Sequence, residues 1–264
     1  MMPLPGSRRG AVALLALTAA LSLGCSVQQQ QTSLAGTYEG APVAIGEGQA
    51  WTFVTLDDQG NPGTLGIRLS EKALSGLPAE PPVSGGEWEY QLALPREAAG
   101  SGYDHVTVDW NPHGHIPEGV YNVPHFDFHF YVIDADTRNA ITAVGDDLER
   151  SHKQPEASYM PAGYVLPPGT EVPRMGAHAI DPAGDEFQNR PFTQTFIYGF
   201  YDGSIIFMEP MITLSFLQSR PSVSTPIKQP AAYLGGFAYP NRYGVRYDSA
   251  AKQYEITLND LARH

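Results

Sequence analysis

A single cysteine, Cys25, is all the chain has. Without a second thiol an internal disulfide is excluded, so stability must rest on core burial, on metal or on oligomerisation. Positive charge is scarce as well: 16 Lys and Arg against 28 Asp and Glu leave a net charge of −12. Phosphate binding needs a basic face, and no Lys/Arg cluster follows the N-terminus, so a nucleic-acid partner is not expected. Common enzyme motifs are missing too. There is no Gly-x-Ser-x-Gly elbow, and neither a phosphate loop nor a dinucleotide fingerprint.

The start of the chain reads as an export signal. Arg8 and Arg9 precede an apolar run over 11–23, which is too short to cross a bilayer comfortably, and Gly24-Cys25 follows. Cys25 stands where a bacterial lipoprotein is cleaved and acylated, which resembles a lipobox with Ser22 in the usual Leu position. Residues 1–25 are therefore read as a signal peptide with lipidation at Cys25. The expected partner is a membrane, reached through the lipid, and the location is the cell envelope. Plain secretion is the alternative, by the general or the twin-arginine route. Residues 26–35 are polar and Gln-rich, as suits a tether.

Residues 36–264 read as one β-rich domain. Hydrophobic residues make up 42% and charged residues 17%, enough for a packed core and too apolar for disorder. The 27 Gly and 23 Pro are spread along the chain, as turns between short strands require. Alternating segments at 50–56, 88–94, 105–110, 120–134, 192–201, 204–217 and 254–258 predict strands. Asp202-Gly203 predicts a two-residue hairpin turn, with Glu209 opposite Phe196 in simple register. Short helices are expected at 70–77, with Ser70 as N-cap, at 146–152 and at 181–187. The fold class is mainly β, an antiparallel sandwich or barrel with a few short helices. The Pro/Gly-rich stretch 153–178 is a long loop of the kind that lines a site or an interface.

Five of the eight histidines fall in two passages. The first runs from Asn111-Pro112-His113-Gly114-His115 to Pro124-His125-Phe126-Asp127-Phe128-His129-Phe130-Tyr131, and the second is Arg174-Met175-Gly176-Ala177-His178. On a strand, His125, Asp127, His129 and Tyr131 share one face, and Phe126, Phe128 and Phe130 share the other. The phenylalanines demand a core. The polar face then calls for an ion. Residues four apart on a strand lie ~13–14 Å apart, so His125 and His129 share an ion only if the strand bends; otherwise they serve different clusters. His113 and His115 pair more readily. The expected metal shell is His113, His115 and one of His125 or His129, closed by His178 or a carboxylate, with Glu209 a candidate because its strand neighbours are apolar. Glu118 and Asp127 are the candidate catalytic carboxylates, Asp127 also suiting the orientation of an imidazole. Nitrogen-rich ligands with one carboxylate suit Zn²⁺, Fe²⁺, Mn²⁺ or Cu²⁺.

His113-x-His115 with Glu118 invites comparison with cupins, but only two residues separate His115 from Glu118 and no Pro-x-Gly-x-x-His precedes His178. The two histidine passages, with Pro191-Phe192-Thr193 and Tyr201-Asp202-Gly203 through Glu209-Pro210-Met211, resemble a bacterial family of exported proteins defined only as a domain of unknown function. That resemblance covers most of 36–220. It implies a β-rich fold and a capacity for homo-oligomers, and it brings no activity. The functional expectation is a metal-binding envelope protein with a mononuclear histidine-rich site. The alternatives are a metal-dependent enzyme acting on a small envelope substrate, and a non-catalytic protein with a hydrogen-bonded histidine network.

Overall fold

The computed structural model describes residues 1–2, 33–83 and 87–264. Cys25, all but the first two residues of the expected signal peptide, and most of the tether lie outside the described residues. Among the described residues, fourteen strands and three α-helices follow in chain order. The strands are β1 (Gly36–Glu39), β2 (Val43–Ile45), β3 (Gly48–Leu56), β4 (Pro62–Ser70), β5 (Trp88–Ala93), β6 (His105–Asn111) and β7 (His125–Tyr131). Then come β8 (Glu171–Val172), β9 (Gly176–Ala179), β10 (Gln194–Tyr201), β11 (Ser204–Thr213), β12 (Ser222–Pro226), β13 (Arg242–Asp248) and β14 (Gln253–Asn259). Three short helices interrupt them: α1 (Ala135–Asn139), α2 (Asp146–His152) and α3 (Leu214–Gln218).

The strands form two antiparallel sheets, one of them a half-barrel. The first has the order β1-β3-β4-β14-β13-β12, with β2 also on β3; the second runs β5-β6-β7-β11-β10-β9-β8. Val54, Leu65, Ile67, Ile256 and Leu258 of the first sheet join Val106, Val108, Phe126, Phe128, Phe130 and Met208 of the second in one buried cluster. The mainly β, antiparallel reading therefore holds. Burying each phenylalanine contributes roughly 1.5–3 kcal/mol. A one-residue slip of β7 would turn all three out of this core, so its register is strongly specified and its polar face is fixed on the other side.

Several elements differ from expectation for local reasons. Strand β7 starts at His125 rather than 120, because Pro117–Tyr121 closes a turn and Pro124 has no N–H for the ladder. Strand β11 stops at Thr213, whose hydroxyl accepts from Phe216 N and caps α3. Ser70 does not cap a helix; its hydroxyl accepts from Gln49 N at 3.0 Å, and only a 3₁₀ turn, Glu71–Leu74, follows. Of 181–187 only Asp185–Phe187 is helical, again 3₁₀. Helix α2 has the expected bounds.

The hairpin turn is where Asp202-Gly203 places it, with φ of 51° and 77° and Tyr201 paired to Ser204. The register beyond it is not the simple one. An irregularity at Gly199/Phe200 adds a residue to β11, so Glu209 lies opposite Ile197 instead of Phe196. Gly203→Val is expected to cost about 1 kcal/mol or more, since a β-branched residue resists positive φ. Urea denaturation checks this, and an unchanged midpoint would remove the turn's claim to direct the hairpin.

Candidate metal centre

The polar face of the second sheet is a grid set by register. Asn111, Asp109, Thr107 and His105 of β6 stand opposite His125, Asp127, His129 and Tyr131 of β7. On the far side of β6, Glu89 pairs with Asp109. On the far side of β7, Phe207 pairs with Tyr131 and Met211 with Asp127, which brings Glu209 level with His129. His178 enters from β9, opposite Gly199. Two apolar clusters bracket this row, one including Tyr131, Met175 and Phe207 and the other Tyr121, Phe192 and Met211. The row between them is shut away from water: Asp109, Asp127, His125, His129 and Glu209 are all at most 2% exposed.

His129, His178 and Glu209 form the first group. His129 Nδ1 lies 2.8 Å from Asp109 Oδ2, which also accepts from the Thr107 hydroxyl at 3.0 Å. His178 Nδ1 donates to the Thr170 carbonyl at 2.8 Å, within the stretch 153–178 that was expected to be a loop but forms β8 and the start of β9 at its end. Both rings thus turn Nε2 toward Glu209, at 3.5 Å from Oε1 for His129 and 3.8 Å from Oε2 for His178. His129 Nε2 and Glu209 Oε2 are buried without a hydrogen-bond partner. These separations are long for N–H···O bonds, which cluster at ~2.9–3.0 Å. The 3.5 Å separation is close to that of two atoms bound tetrahedrally to one ion at ~2.1 Å, about 3.4 Å, and the 3.8 Å separation is somewhat wider.

His115, His125 and Asp127 form the second group. His125 Nδ1 donates to the Val123 carbonyl and His115 Nδ1 to the Ile116 carbonyl, each at 2.7 Å. Their Nε2 atoms lie 3.2 Å and 3.3 Å from the two oxygens of Asp127, and Asn111 donates to Asp127 Oδ2 at 2.8 Å. His115 reaches the group from the loop before β7, through a tight bend at Gly114. There φ is +69° and a Cβ would sit 1.9 Å from the Tyr121 carbonyl oxygen, so only glycine fits.

Burial dominates the electrostatics. It pushes the Glu209 and Asp109 carboxyls well above the usual carboxylate range, and nearby acids add to the effect. It pushes His129 and His178 down to about 4. Asp127 is the exception: burial would raise it, but the imidazoles of His125 and His115 hold it below its ordinary value. His115, depressed by burial, is carried up to about 9 by its bond to Asp127 and by that carboxylate's charge. Glu87, Glu89 and Asp109 make a third, all-acid group. Glu89 takes both Arg138 and Arg174, while burial and acid neighbours push Glu87 up to about 9.

The expected ligands are therefore divided. His125 and His129 serve different groups, one of the two arrangements their spacing allowed. His178 and Glu209 join His129, and Arg174 pairs with Glu89. His113 does not meet His115: it is exposed and lies 3.0 Å from Glu80 Oε2, because the bend at Gly114 turns the two rings apart. Glu118 is exposed on the same loop and belongs to none of the three groups, whereas Asp127 is buried among imidazoles. Glu87, Glu89, Asp109 and Arg138 escaped the sequence reading. The alternation of Glu87 and Glu89 beside an apolar strand was the available signal for the first two. His105, His152 and His264 stand apart, against Asp104, Glu171 and Tyr233 respectively.

A protein-family model described as TTHB210-like, Hypothetical protein TTHB210, matches residues 57–110. The matched stretch is similar to that family over about a fifth of the chain, 54 of 264 residues, and contains Glu87, Glu89 and Asp109 but none of the four clustered histidines. No curated protein and no solved structure matches the chain.

Proposed function

We propose that this protein is an envelope-anchored metal-binding protein whose second sheet holds a divalent transition-metal ion at His129, His178 and Glu209. One observation carries the reading: His129 Nε2 and Glu209 Oε2 are buried and unpartnered, and His129 and His178 each turn Nε2 onto an oxygen of Glu209, 3.5 Å and 3.8 Å away. Asp109 and the Thr170 carbonyl orient the two imidazoles, the outer support that metal-bound histidines usually have. Two nitrogens and one carboxylate suit Zn²⁺, Fe²⁺, Mn²⁺ or Cu²⁺. The test is the metal content of protein purified without a His-tag. Near-stoichiometric metal that Glu209→Gln removes supports the reading. A metal-free native protein showing no uptake of these four ions would leave a hydrogen-bonded histidine network in its place.

The three-ligand set also favours a second reading, a metal-dependent enzyme. Three protein ligands leave a coordination position for water or a small oxygenated substrate. Azide perturbing the visible spectrum of Co²⁺-loaded protein would reveal that position, and an unresponsive spectrum argues for a closed structural ion.

Attachment through Cys25 is part of the same proposal, supported by the basic head, apolar run and Gly24-Cys25. Homo-oligomers are proposed from the family resemblance alone. Expressed in a bacterium, the protein is expected to incorporate radiolabelled fatty acid, and Cys25→Ser to abolish the label. Unlabelled, soluble wild-type protein would mean plain secretion.

A further inference from the structure

We infer that the same face holds a second divalent transition-metal ion, bound by His115, His125 and Asp127, so that the chain carries a two-ion centre. This rests on the reading that the first group binds metal, but the observations behind it are separate. His125 donates its Nδ1–H to the Val123 carbonyl, which leaves Nε2 turned toward Asp127 Oδ1, 3.2 Å away. Both atoms are buried and neither has a hydrogen-bond partner. A buried carboxylate needs a neighbouring cation, and a metal ion bound at the Nε2 atoms of His125 and His115 would supply one while giving both orphaned atoms a partner. His115 approaches the other oxygen of Asp127 from the loop with its Nδ1 spent in the same way, and Asn111 holds that oxygen in place. All four clustered imidazoles therefore follow one rule, with Nδ1 committed outward and Nε2 turned inward onto a carboxylate.

Arginine does not compete for the row. Among the described residues, Glu87, Asp109, Asp127 and Glu209 face this row with no guanidinium or ammonium partner, since both Arg138 and Arg174 are taken by Glu89. Asp127 and Glu209 lie on adjacent strands, on the same face and two residue positions out of register. The two residue groups therefore lie along the β7–β11 seam, His115 at one end and His178 at the other being their partly exposed members.

The experiment is a Zn²⁺ titration of the stripped full chain by calorimetry, with metal analysis after dialysis, on wild type, Glu209→Gln, His115→Ala and Asp127→Asn. Circular dichroism checks the fold, and His115→Ala, on a partly exposed loop residue, covers the case in which Asp127→Asn fails to fold. Two ions in wild type and one in each variant support the inference. One ion in wild type that survives His115→Ala but not Glu209→Gln overturns the second site and leaves the first standing. One ion lost in both of these variants means a single shared ion and overturns it too. No ion in wild type overturns this inference and the metal reading together.

Discussion

Loading the stripped protein with Zn²⁺ at 100 times its dissociation constant is expected to stabilise the fold by about 2.7 kcal/mol for each independent site, because the ion binds the native state alone. For a chain of this size that is a rise in melting temperature of about 5–10 °C per site. Glu209→Gln should separate ligand loss from damage to the fold. In the metal-free protein burial already favours the neutral form of Glu209, so an amide of the same shape costs little there. The metal-free melting temperature should hold or rise, while the gain on adding Zn²⁺ through this site disappears. The pH dependence has a definite sign. A metal ion must displace the proton that burial holds on Glu209, so uptake releases protons and apparent affinity climbs with pH through the raised range of that acid. Uptake that strengthened on acidification, or a Glu209→Gln protein still stabilised like wild type, would rule this group out as the ligand set.

Arg138→Ala is expected to be the most damaging single change that touches no proposed ligand. The side chain is 1% exposed, lies over the Tyr131 ring at 4.7 Å and directs both terminal nitrogens at Glu89. Helix α1 exists largely to present it: Asp134 caps that helix through Thr137 N, and Arg138 is its one buried residue. Deleting the guanidinium strands a half-buried carboxylate beside Asp109 and opens a hole over Tyr131. Arg174, more exposed, still reaches Glu89 and compensates in part. A buried pair broken on one side typically costs about 3–5 kcal/mol, and the lower end applies with Arg174 present. Combining Arg138→Ala with Glu89→Ala should cost less than the sum of the two by about 1–3 kcal/mol, because the second change removes the stranded charge. Denaturant midpoints measure all three variants. A loss under about 1 kcal/mol for Arg138→Ala, or strict additivity, would show that the pair does not anchor the acidic edge of the site.

The histidine passage shows how far local pattern carries. Period-two alternation over 125–131 put three phenylalanines against two histidines and an aspartate on opposite faces, and the sandwich buries both sets as that alternation requires. The Asp-Gly turn was legible for the same kind of reason, because few residues accept two successive positive φ angles. Glu209 stood out as a charge in an apolar strand, and it is buried among imidazoles. Such features depend on neighbours within a few residues, where backbone geometry leaves little choice.

Partnership was not legible in that way. His113 and His115 are two residues apart and looked like one ligand pair, yet the positive φ at Gly114 sends one ring to Glu80 and the other to Asp127. Glu209 missed its simple register because one extra residue in β11 shifts the pairing beyond the turn. Asp109, Glu87 and Glu89 became part of the site only when β5 and β6 lay down beside β7. By itself, then, the sequence determined the mainly β architecture, the two-faced strand at its centre and the residue types available for chemistry, all of which follow from period-two alternation and turn stereochemistry. Which histidine faces which carboxylate, and that the ligands fall into two groups instead of one, only the tertiary structure decided, because strand order, a bulge and a loop bend between distant residues set those distances.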